Sequence, residues 1–112
     1  MAKTKAEVFD LKAMPAFPYE QREKNVFVSK PGFKARIIDL PPGGNMPECD
    51  MPAAVLFSVV SGQAEITVDG VTTPLGEGMC LIGEPGRYSM RTVTGVRLLG
   101  VQLAAGQGKG AS

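Results

Sequence analysis

The chain has 112 residues, enough for one hydrophobic core and too few for two. Twelve basic residues against eleven acidic ones leave a net charge of +1, without the basic surplus that nucleic acid or an anionic membrane demands of a partner. There is no histidine, so imidazole acid–base catalysis and every His-ligated metal site are excluded.

Fourteen glycines and nine prolines dictate frequent turns and leave no room for a long amphipathic helix. Residues 1–24 read as an N-terminal extension: 1–5 frayed, Ala6–Asp10 a short edge strand, and 13–22, with Pro15 and Pro18, an extended loop. Asn25–Val28 is a second strand, ended by Pro31-Gly32. Phe33–Leu40 alternates imperfectly and reads as a half-buried strand; if Ile38 and Leu40 point inward, Arg36 shares their face. Residues 41–52 (PPGGNMPECDMP) hold four prolines and two glycines, a density that predicts a structured loop rather than a strand.

Ala53–Val60 (AAVLFSVV) is apolar at nearly every position, which predicts burial on both faces. Of its two pairs, Phe57/Val59 and Leu56/Val60, one faces the interior and the other forms an outer apolar stripe that a homodimer would cover. A turn at Ser61-Gly62 leads into Ala64–Val68, which alternates cleanly. Asp69-Gly70 carries the signature of a type I′ hairpin turn, and Val71–Thr73 returns from it. Turns at Pro74–Gly78 and Gly83–Gly86 bracket a short strand, Met79–Ile82. Tyr88–Val93 and Val96–Leu103 follow as the last two strands.

Eight or nine short strands along the chain predict an all-β barrel or sandwich over residues 25–103, followed by a disordered tail over 104–112 (AAGQGKGAS). The N-terminus lacks the apolar core of a secretory signal, and no apolar run is long enough to span a bilayer. The expectation is a cytoplasmic protein with both cysteines reduced. A disulfide or redox pair between Cys49 and Cys80 stays open, since their spacing alone does not decide it.

Two segments resemble the cupin motifs. The first cupin motif runs glycine, five residues, His-x-His, three or four residues, Glu, six residues, glycine; here Gly43 leads at that spacing to Cys49-Asp50-Met51, then Val55, then Gly62. The stretch SGQAEITVDG that follows is similar to the family's next strand and turn. The second motif, like L-G-x-G-D-x-x-x-I-P-x-G-x-x-H, is similar to Leu75-Gly76-Glu77-Gly78 through Pro85-Gly86 to Ser89. The resemblance covers roughly residues 33–103 and implies a single-domain jelly-roll barrel, a form in which homodimers are common.

By position, the family's four metal ligands become Cys49, Met51, Val55 and Ser89. Valine donates nothing, and a thioether and a neutral hydroxyl are poor ligands for hard divalent ions. The expectation is therefore a barrel with no metal and no other cofactor, binding a small molecule in an apolar, sulfur-lined cavity without catalysis. The candidate pocket is formed by those four positions, with Arg36, Met46, Phe57, Cys80, Tyr88 and Met90 as further lining. The alternative is an enzyme of oxygenase or isomerase type built on a soft copper site from Met46, Cys49, Met51, Met79, Cys80 and Met90. Arg36, Arg87 and Arg91 are candidate anchors for an anionic ligand group.

Overall fold

The computed structural model describes residues 5–103, so the tail expected over 104–112 lies outside the described residues. Eight strands follow a short 3₁₀ helix at Tyr19–Asn25: β1 (Val26–Lys30), β2 (Phe33–Leu40), β3 (Asn45–Met51), β4 (Val55–Val68), β5 (Val71–Gly76), β6 (Cys80–Gly83), β7 (Gly86–Arg91) and β8 (Val96–Leu103). All pairings are antiparallel. Among the described residues no helix is long and apolar enough to cross a membrane.

β4 organises the whole. The sequence suggests two strands broken at Ser61-Gly62, but the chain continues as one 14-residue strand that belongs to two sheets. Its first half lies between β8 and β6, its second half between β7 and β5. The corner is Gly62, at φ +81°, beside a register shift between Val59 and Ser61. A residue in that left-handed conformation bends a strand sharply, and glycine adopts it without strain. β1 and β2 extend the first sheet beyond β8, and β3 extends the second beyond β7, so the two layers curl into a half-open barrel.

The interior is built by period-two alternation. Val55, Phe57 and Val59 of β4 are buried with Ile38 and Leu40 of β2, Tyr88 and Met90 of β7, and Val96 and Leu98 of β8. On the opposite face of β4, Leu56 and Val60 are half-buried and form the outer apolar stripe, which no second layer covers in one chain. The hairpin at Asp69-Gly70 forms as read, with φ values of 48° and 86° and Val68 facing Val71.

Three local expectations are corrected. Ala6–Asp10 forms no strand; the Asp10 carboxylate accepts the backbone N–H groups of Lys12 and Ala13, turning the chain before it can join the sheet. The polar run after Pro18, expected as loop, winds into the 3₁₀ helix in two turns joined at Gln21. Asn25 ends it by folding back, its side-chain amide donating to the Phe17 carbonyl at 2.9 Å and accepting from the Phe17 N–H at 2.7 Å. The proline-rich 41–52 segment contains a true strand, β3, because it sits on a sheet edge and Pro47 falls in a bulge between Met46 and Cys49, where no ladder N–H is required.

Arg97 pins the N-terminal arm to the first sheet. Its Nε donates to the Leu11 carbonyl at 2.7 Å, a second nitrogen to the Met14 carbonyl, and the third to Asp39 Oδ2 at 2.8 Å. Farther along, the Phe9 ring packs on Phe27 with centroids 4.7 Å apart. This clamp sets where the chain enters the 3₁₀ helix, and that helix forms one wall of a cavity at the open end of the barrel.

Candidate functional site

A cavity of about 200 Å³ opens between the 3₁₀ helix, β2, β3, β4 and the end of β8. Its floor is apolar: Ile38 from β2 with Val55 and Phe57 from β4, all nearly fully buried. Gly100 of β8 faces it too, and a Cβ there would meet Ile38 at 3.2 Å and Phe57 at 3.4 Å, so glycine keeps that wall low. Three sulfurs from the edge strand β3, those of Met46, Cys49 and Met51, line one side.

The rim is polar and carries two positive charges. Arg36 lies on β2 two residues before Ile38 and therefore shares its inward face. Arg22 and Tyr19 are one helical turn apart. The Arg22 guanidinium lies over the Tyr19 ring at 4.4 Å and donates to the Tyr19 carbonyl at 3.1 Å. Gln102 completes the rim. No aspartate or glutamate lines the cavity. Glu48 and Asp50, which flank Cys49, instead meet Arg87 at 3.8 and 3.1 Å on the outer surface.

Burial pushes the Cys49 thiol above its ordinary pKa; Arg22 opposes this, Asp50 adds to it, Arg36 opposes it and Glu48 adds to it. Tyr19 is raised as well, again chiefly by burial. Both groups are neutral at physiological pH. The folded thiol keeps its proton to higher pH than an unfolded one. Its contribution to stability is therefore complete below the ordinary thiol range and is lost as pH rises through the folded pKa. Alkylation provides the check: iodoacetamide at neutral pH is expected to label exposed Cys80 well before half-buried Cys49, with mass mapping showing the order. Equal rates would contradict the burial argument.

Solved structures of the same architecture share little sequence with this chain. The cupin domain of Schizosaccharomyces pombe Cnp3 superposes with a TM-score of 0.70 at 19% identity, over 87% of this chain and 68% of that one. A cupin superfamily protein of Desulfitobacterium hafniense gives 0.69 at 13%, over 90% and 93%. The fold is a cupin barrel. A conserved Streptococcus pyogenes protein of unknown function gives 0.66 at 20%, over 74% and 73%. No family model matches the sequence and no curated protein does.

Cupin barrels of the metal-binding kind hold their ion with two histidines and a glutamate from the first motif and a histidine from the second. Three of the four corresponding positions here, Cys49, Met51 and Val55, do meet in the cavity. Ser89 does not. It faces outward on β7 beside Thr67, between buried Tyr88 and Met90. Counting from the glycines of the second motif selects Ser89. Counting five residues from Pro85, which stands one place later than in the family pattern, selects Met90, an inward position closed into the core. The donors lining the cavity are one protonated thiol, two thioethers, a protonated phenol and an amide, with two guanidinium groups alongside and no carboxylate, a set that does not fit a divalent cation. Among the described residues no three His, Cys, Asp or Glu side chains converge.

The other sequence candidates divide cleanly. Arg36, Met46 and Phe57 line the cavity. Cys80 and Met79 are exposed at the start of β6, so the six-sulfur copper set is scattered and both cysteines are free. Tyr88 is not at a pocket mouth; it is fully buried, with its hydroxyl donating to the Glu84 carbonyl at 2.6 Å. Arg87 and Arg91 pair with surface carboxylates. The residues that sequence reasoning missed are Tyr19, Arg22, Gly100, Val101 and Gln102. Gln102 was available from the same period-two count that places Leu98 inward. Tyr19 and Arg22 required the helix, whose polar sequence carries no amphipathic period.

Proposed function

We propose that this cupin barrel binds a small organic molecule in its interior and performs no chemistry of its own on it. The observation that carries the reading is the lining of the cavity, an apolar floor under a rim of hydrogen-bonding groups. The absence of histidine from the sequence and the protonated state of Cys49 support it, because neither a general base nor a thiolate nucleophile stands at the cavity. The two rim guanidinium groups disfavour a cation there, which weighs against the soft-metal alternative.

Titration of the untagged protein with 1-hexanol, followed by the methyl resonances of Met46 and Met51, is the test. Saturable shifts at both methyls are expected in the native protein, and the Met46 methyl no longer shifts in Met51→Trp, whose indole fills the rim. Shifts that do not saturate, or stoichiometric iron, nickel, manganese or copper that is lost in Cys49→Ser, would overturn the proposal.

A further inference from the structure

The charges at the rim say which class of molecule the cavity takes; this inference rests on the binding reading above. Arg87, Arg91 and Arg97 each hold a carboxylate of the chain within 3.1 Å. Arg36 is different: it is half-buried, borders the cavity, and its side chain makes no hydrogen bond or ion pair among the described residues. Arg22 spends one N–H on the Tyr19 carbonyl and keeps the rest of its fork. The side-chain amide of Gln102 at the same rim makes no hydrogen bond among the described residues either. A guanidinium drawn partly out of water without a counter-ion is unfavourable, and a planar carboxylate relieves this by accepting two parallel N–H groups.

Below these donors the wall changes character within one side chain. Ile38, Val55 and Phe57 offer hydrocarbon only, and nothing there can pair with a second charge. The volume of about 200 Å³ is somewhat above the roughly 150 Å³ of an apolar cavity that takes a six-carbon ring, which suits an acid of on the order of six carbons. We propose that the ligand is a short-chain monocarboxylate, its head held between Arg36 and Arg22 at the rim and its tail lying on Ile38, Val55 and Phe57.

Three ligands of equal chain length separate charge from fit: hexanoate, 1-hexanol and hexylamine, titrated calorimetrically into the full chain. Hexanoate is expected to bind at least about tenfold tighter than hexanol, with hexylamine weakest. Arg36→Gln brings hexanoate down to the hexanol level and leaves hexanol unchanged. Arg22→Gln causes a smaller loss, because its guanidinium is partly engaged, and Arg91→Gln on the outer surface changes nothing. Hexanol matching hexanoate in the native protein, where no variant has to fold, overturns the carboxylate assignment while leaving a binding cavity in place. Inorganic phosphate binding as tightly as hexanoate shows that the apolar floor is unused and overturns it as well. Failure of all three hexyl compounds to bind removes both this inference and the reading beneath it.

Discussion

Gly62→Ala is expected to cost the barrel about 2–5 kcal/mol, a large part of a stability near the low end of the usual 5–15 kcal/mol. Two effects add. The backbone stands at φ +81°, where an L-residue with a Cβ is disfavoured by roughly 1–2 kcal/mol. The new methyl also has nowhere to go: it would overlap the carbonyl oxygen of Gly95 and stand 3.0 Å from the Gly95 carbonyl carbon and the Val96 Cα. Those atoms are backbone of the neighbouring strand turn, so no side-chain rotation relieves the overlap, and overpacking of this kind adds about 1–3 kcal/mol. Gly70→Ala isolates the first effect. Its φ is +86°, but nothing lies within 4 Å of the Cβ position, so it is expected to cost only about 1–2 kcal/mol. Urea denaturation of the two variants decides the matter. If Gly62→Ala loses no more stability than Gly70→Ala, the strand corner is not the tight point that the geometry makes it.

That corner also shows what a sequence can and cannot disclose. The glycine is visible, and so is a break in the apolar run, but a turn and a bend look alike when only one residue of positive φ is needed for either. The β2 strand, Phe33–Leu40, was legible to the residue because its alternation is local, and Arg36 came with it: once Ile38 and Leu40 face inward, a residue two earlier does too. The Asp69-Gly70 turn was legible for the same reason, since its chemistry depends on two adjacent residues. What failed depends on distant partners. Pro47 argues against a strand until β3 is known to be an edge with a bulge at that point. Ser89 looks like a pocket residue until the register of β7 against β4 turns it outward. Tyr19 and Arg22 reach the cavity because Arg97, far along the chain, fixes the arm that precedes them, and Asn25 closes the helix that carries them. No periodicity within residues 19–25 records either partner.

Phe57→Ala is expected to cost about 3–4 kcal/mol and at the same time to change what the cavity accepts. The ring is 3% exposed and leans against Tyr88 with centroids 6.2 Å apart. Truncating a buried phenylalanine generally costs about 3–5 kcal/mol, part of it for the void left behind. Here the void is not sealed, because Phe57 already borders the existing cavity, so the two merge and solvent or ligand can enter. That places the cost toward the lower part of the range, and the matching fall in melting temperature is roughly 12–25 °C for a domain of this size. The enlarged space reaches toward Tyr88 and leaves both arginines in place, so the charged head of a ligand keeps its partners while the tail gains room. A longer acid such as decanoate, too large for the native volume, is therefore expected to bind Phe57→Ala better than it binds the native protein, and to recover part of the lost stability in a thermal melt. Melting curves with and without decanoate test both halves together. A variant that is destabilised but indifferent to decanoate would place Phe57 in the core alone, away from any ligand, and would remove the floor on which the carboxylate assignment depends.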